Sequence, residues 1–151
     1  MSAPSFAELE AAASSVIDIL KTMSEFSNVK IAVIGGLGLW KYLRGYRTTE
    51  GVDILITVQG APKTSPYILS AAGPISAVRP GSLPYISETD LLIFKINSCG
   101  LRSTPAKKLR DATDARSLAD DLSSKGPIVL SSTQKSAVLQ GLDDVPKLAL
   151  S

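Results

Sequence analysis

The stretch "VIGGLGLWKYLRGYRTTEGVDILITV" (Val33–Val58) sets paired glycines, Gly35 and Gly36, at the end of one strand-like run and a lone aspartate, Asp53, at the start of the next. Residues of these types in this order admit three chemistries. Backbone N–H groups of a glycine turn that opens a helix can cradle phosphate, with a carboxylate alongside to hold a cation. The same order echoes a dinucleotide site, but the spacing fits poorly. Gly36 and Gly38 match its first two glycines, while Lys41 stands at the third position. Asp53 also lies at the near end of its strand, not the far end that reaches a ribose. No Gly-Lys-Ser/Thr follows, which removes a P-loop. The third possibility is a tight strand-to-helix turn with Asp53 capping or pairing locally.

What is missing narrows the chemistry further. The chain has no histidine, so Ser-His-Asp and Cys-His catalysis and a histidine-bound zinc are excluded. Cys99 is the single cysteine, so there is no intramolecular disulfide and no thiolate cage. Its apolar surroundings mark it as a small hydrophobe rather than a nucleophile. A net charge of +2 and 5% aromatic residues give no support to a nucleic-acid or anionic-membrane partner. Arg102, Lys107, Lys108 and Arg110 form a basic cluster, expected as a solvated face balanced by Asp111, Asp114, Asp120 and Asp121. No window approaches the ~20 apolar residues of a membrane span. Glu8 and Glu10 precede a short apolar run, the wrong charge for a secretory signal. The expectation is a soluble cytoplasmic protein of one domain, 151 residues long.

The elements that must position these residues follow from periodicity. Ser5–Glu25 reads as an amphipathic helix with Phe6, Leu9, Ala13, Val16, Ile17 and Leu20 at helical spacing, and Ser5 with Glu8 as a capping box. Val29–Ile34 and Val52–Val58 read as strands, and Leu37–Leu43 as a short helix between them that stops at Gly45. Trp40 is expected to fill the core behind the glycine turn. From Gly60 to Pro84 at most one or two short strands fit. Ser87 and Asp90 cap a helix to about Cys99, and Pro105 starts another with Leu109, Ala112, Ala115, Leu118, Ala119 and Leu122 on one face. Ser131 and Gln134 cap a last helix to about Leu139. The order predicts an α/β part over 1–86 and a helical part over 87–151.

"VIGGLGLWKYL" followed by "TTEGVDILI" resembles the glycine turn, short helix and Asp-x-Asp strand of the nucleotidyltransferase superfamily. "DLLIFKINSCGLR…KKLRDATDA" is similar to the helical lysine and Asp-x-x-Asp segments of its minimal and AbiEii-like members, with wording close to uncharacterised fungal proteins of that type. The resemblance covers about Val29–Leu122. It implies a small nucleotidyltransferase-like sheet with flanking helices. It also implies nucleoside triphosphate on the Gly35–Gly36 turn, Asp53 as a metal carboxylate, Lys95 at the catalytic and nucleotide-binding lysine, and Asp111 with Asp114 supporting the site. Mg²⁺ is the implied cofactor, held in the family by three carboxylates in a two-ion centre.

Two of those carboxylates are missing. Gly51 stands where the first acid of Asp-x-Asp belongs, and no Asp or Glu occurs between Asp53 and Glu88. Glu50 is adjacent, but neighbours on a strand face opposite sides. The expectation is a degenerate transferase that retains weak nucleotide binding or acts through protein contacts. The alternatives are an active Mg²⁺-dependent enzyme recruiting Glu50, or Glu88 and Asp90, and a plain interaction module.

Overall fold

Short β-branched runs, capped helices and glycine stops make the elements, and long-range pairing joins them. The computed structural model describes residues 3–49, 51–57, 72–99 and 104–141. Two compact units emerge, Met1–Ile86 and Ser87–Ser151. Among the described residues the chain is mixed α and β, mostly helical, with five α-helices and one three-stranded antiparallel sheet.

In the first unit, helix α1 (Phe6–Lys21) starts where the Ser5 hydroxyl accepts the Glu8 N–H at 3.1 Å. It buries Leu9, Ala13 and Ile17. It ends four residues short of the expected Glu25. The Thr22 hydroxyl donates to the Ile19 carbonyl at 2.7 Å, and the chain tightens into a single 3₁₀ turn at Ser24–Phe26. Strand β1 (Lys30–Ile34) is the centre of the sheet, with β2 (Asp53–Thr57) on one side and the two-residue β3 (Gly73–Pro74) on the other. Ile34 faces Asp53, and Lys30 faces Thr57. Beyond β3, the Val33 N–H donates to Pro84 and the Val33 carbonyl accepts from Ile86, at 2.8 and 3.1 Å. Both edges of β1 are therefore paired, which is why Ile31, Ala32 and Val33 can be buried in succession. Leu9, Ala13, Val33 and Leu37 form one apolar cluster; Ile17, Val29, Ile31 and Ile75 form another. Trp40 is half-buried against the first, as expected of it.

Helix α2 (Gly35–Tyr42) begins two residues before the expected start, so the glycines are its first turn rather than a loop ahead of it. Its end is marked by the Leu43 N–H donating to Leu39, with Gly45 in the left-handed region at φ 83°.

The second unit contains α3 (Glu88–Cys99), α4 (Pro105–Ser124) and α5 (Ser132–Gly141). Each start is capped by a hydroxyl. Ser87 accepts the Asp90 N–H, Thr104 accepts the Lys107 N–H, and Ser131 with Gln134 closes a reciprocal box at 2.8 and 3.1 Å. Leu91, Leu92, Ile93, Ile96, Ala112, Ala115, Leu118 and Ala137 are buried. The inner face of α4 differs from the expected one. Asp111 and Asp114 lie inside, at 1% exposure each, and Leu109 lies outside at 39%.

That rotation has a measurable consequence. Leu118→Ala should destabilise the protein by about 2–5 kcal/mol, the range for emptying a buried leucine site. Leu109→Ala on the same helix should cost less than ~1 kcal/mol. Urea unfolding of the two variants gives the comparison, and equal losses would contradict the observed face.

Candidate functional site

The glycine turn is shaped by the side chains that lie over it. β1 ends in extended conformation at Ile34, and Gly35 turns the chain into α2 at φ 66°, in the left-handed region. Asp53 is paired directly across from Ile34, so its side chain reaches the next residue. A Cβ on Gly35 would lie 2.3 Å from Asp53 Oδ2, and one on Gly36 would lie 2.5 Å from Thr49 Oγ1. Both positions admit only hydrogen. The Asp53 carboxylate thus sits against the start of α2, where the first N–H groups of a helix have no intrahelical partner and favour negative charge. No side chain caps that start by a hydrogen bond among the described residues.

Other side chains hold the turn in place. The Tyr42 hydroxyl donates to the Ile86 carbonyl at 2.6 Å, anchoring the end of α2. The Tyr85 hydroxyl donates to Glu10 Oε2 at 2.7 Å, and Lys41 stacks over the Tyr85 ring at 4.2 Å. Burial first, and then the bond to Glu10, raise the Tyr85 hydroxyl well above the usual tyrosine range, so it stays a donor. Phe6 meets Trp40 with ring centroids 5.5 Å apart, and Arg44 lies over Phe6. Thr49, Tyr42, Tyr85 and Glu10 escaped the sequence reading. Glu10 and Tyr85 are 75 positions apart, and no local pattern links them.

Of the expected site residues, the structure brings Gly35, Gly36 and Asp53 together. The antiparallel pairing of β1 and β2 removes the dinucleotide reading, which needs a parallel crossover. Among the described residues 51–57, Asp53 supplies the one carboxylate, where a two-ion Mg²⁺ centre needs several. Gly51 has no ligating side chain, and Mg²⁺ sheds water only where several anionic oxygens converge. No group of three or more Asp, Glu, Cys or His side chains able to hold a metal occurs among the described residues. Glu50 and Arg102 lie outside the described residues, as does the side chain of Cys99. Glu88 and Asp90 have partners within their own unit, Lys125 and Gln134 respectively, both at 2.8 Å.

In the second unit, Lys95 reaches from α3 to both aspartates of α4, 3.4 Å from Asp111 Oδ1 and 3.1 Å from Asp114 Oδ2, with all three buried. The family order behind the resemblance sets Lys95 beside these two aspartates across packed helices, and the structure has them together; their burial corrects the reading of Asp111 and Asp114 as part of a solvated face. Burial of a lysine in an apolar helix is tolerated only beside opposite charge, so the ion pair rotates the aspartates inward. Lys107 and Arg110 remain exposed.

No protein-family model, no curated protein and no solved structure matches the chain.

Two measurements test this geometry. Gly45→Ala should cost about 1–2 kcal/mol, from backbone strain alone, because a Cβ there meets nothing within 4 Å. Gly35→Ala should cost a further ~1–3 kcal/mol for overpacking against Asp53, and Asp53→Ala in that background should recover part of the excess. Equal losses at the two glycines would show that Asp53 does not press on the turn. For the buried ion pair, Lys95→Met should cost about 3–5 kcal/mol by leaving two carboxylates inside without their ammonium. Adding Asp111→Asn and Asp114→Asn should return much of that loss in urea unfolding. No recovery would mean that charge is not what the lysine supplies.

Proposed function

We propose that this chain is a nucleotidyltransferase-type scaffold without a working metal centre, keeping weak nucleotide binding at the Gly35–Gly36 turn and lacking transferase activity. One observation carries the reading: the Asp53 carboxylate lies against Gly35 at the start of α2. A carboxylate strand laid over a glycine-led helix is the arrangement in which such enzymes combine phosphate and metal. Here the order of elements persists while the acids around Asp53 do not. Lys95 with Asp111 and Asp114 adds support, since the resemblance places those same residues together.

The geometry accounts for weak affinity. The N–H groups of the first turn of α2 attract phosphate oxygens, while the adjacent Asp53 carboxylate repels them. Without a cluster of carboxylates to gather cations, the repulsion stays uncompensated. The first unit then offers a phosphate a favourable dipole and an unfavourable charge at one place.

Titration with nucleoside triphosphates and Mg²⁺ should therefore give at most weak binding and no nucleotide transfer. Gly51→Asp has room, because a Cβ at Gly51 meets nothing within 4 Å, and it puts a second carboxylate two residues before Asp53. It should tighten Mg²⁺-dependent nucleotide binding by roughly tenfold, about 1.4 kcal/mol, without restoring full turnover. Mg²⁺-dependent labelling of a protein or RNA acceptor by the unmodified chain, abolished by Asp53→Ala, would overturn the proposal.

A further inference from the structure

The two edges of the sheet are finished differently. On one side of β1 lie β3, two residues long with a proline, and then the chain at Pro84–Ile86, which bonds Val33. On the other side β2 is outermost, and among the described residues no strand lies against its outer edge. An edge that stays free is normally blunted by proline, lysine, a bulge or a short length, because alternate N–H and C=O groups there point outward unpaired. β2 has none of these devices. Its residues, Asp-Ile-Leu-Ile-Thr, pair with β1 in unbroken register, and three apolar side chains in a row, Ile54, Leu55 and Ile56, are only half-buried.

Charge on the sheet points the same way. Lys30 faces Thr57, Ala32 faces Leu55 and Ile34 faces Asp53, so Lys30 and Asp53 share one face of the sheet. Both are exposed, and neither makes an ion pair among the described residues. Within one chain they stand four rows apart along the strands, roughly 13 Å, beyond the reach of the two side chains.

We propose that β2 pairs antiparallel with β2 of a second copy about a two-fold axis through Leu55, and that Lys30 of each copy reaches Asp53 of the other. In this register Leu55 faces Leu55, Ile54 faces Ile56 and Asp53 faces Thr57, so every residue of the strand is paired and no like charges meet. Thr57 is itself paired with Lys30, which puts Asp53, the partner subunit's Thr57 and the partner subunit's Lys30 in one row. Two strand spacings, about 9.6 Å, separate the backbones at the ends of that row, a gap that a lysine stem spans across a threonine. The contact is self-complementary and uses both free edges, so it closes as a dimer rather than growing into a fibre. It also sets the partner's Lys30 beside the carboxylate that lies over Gly35, giving the site of one copy a cation from the other. The pairing does not rest on nucleotide binding, and its test needs no nucleotide.

Light scattering on the full chain after size exclusion should give twice the chain mass of 15.9 kDa. Lys30→Glu and Asp53→Lys should each raise the dimer Kd by roughly two- to thirtyfold, since each breaks two symmetry-related pairs, and the two together should restore it. In a Cys99→Ser background, Leu55→Cys should form an interchain disulfide under mild oxidation. Directly opposed antiparallel residues lie about 4.5–5.5 Å apart at Cα, within disulfide reach. Ile19→Cys, exposed on α1, should not cross-link in this way. If Asp53→Lys fails to fold, Lys30→Glu and the cross-link decide. A monomer mass at every soluble concentration, a Kd indifferent to Lys30→Glu, or cross-linking no better at position 55 than at position 19 would overturn the pairing.

Discussion

The first unit depends on a single backbone conformation at Gly35. With φ at 66°, the chain passes from the central strand into α2 without an intervening loop. That direct passage keeps Leu37 beside Val33 in one apolar cluster and so ties the helix to the sheet. It also brings the start of α2 under the residue that faces Ile34 across the ladder. The register of β2 and the turn into α2 are therefore one constraint. A one-residue slip of β2 would reverse the faces of Ile54 and Ile56, which pack on the second apolar cluster, and would carry Asp53 away from the turn.

That constraint serves both a packing and a chemical account of the paired glycines. Packing alone is enough to require glycine at both positions, because Asp53 and Thr49 occupy the space a Cβ would fill. It does not explain why the residue over Gly35 is an exposed carboxylate, since an apolar or hydroxyl side chain would fit the same ladder position. A negative charge at a helix start is favourable electrostatically, and that benefit alone gives the carboxylate a structural role. What separates the accounts is affinity for phosphate, which a purely structural carboxylate would only weaken.

Local signals were legible where the cause was local. The hydroxyl caps at Ser5, Ser87 and Ser131 and the proline at the first position of α4 act within one turn, so helix starts were readable to within a residue or two. The two main strands stood out through their β-branched runs, and the pairing of the Gly35 turn with Asp53 followed from their order. The inner face of α4 was not legible from apolar periodicity, which ranks Leu109 above Asp111; the meeting of Lys95 with Asp111 and Asp114 was legible only through the family order. Tyr85 and Thr49 were missed for the same reason. Their partners come from other segments, and only the fold brings them together.

In the helical unit, polar contacts supply what an alanine-rich interface lacks. Ala112 and Ala115 present small, similar surfaces, which specify the sliding of one helix along another poorly. Glu88 and Lys95 are seven residues apart on α3, and Asp114 and Asp121 are seven residues apart on α4. Both intervals span two turns, about 10.5 Å, and Lys125, one turn beyond Asp121, reaches Glu88, so one antiparallel alignment closes both ion pairs together. Sliding α4 by one turn in one direction sets Lys95 against Leu118, leaving its ammonium in apolar surroundings; the other direction sets it against Arg110, a like charge. Buried ion pairs add little net stability over well-packed apolar residues, but breaking one costs several kcal/mol, about 3–5. The buried Lys95 clasp therefore acts against misaligned pairings more than in favour of the native one, and it fixes where α3 stops along α4.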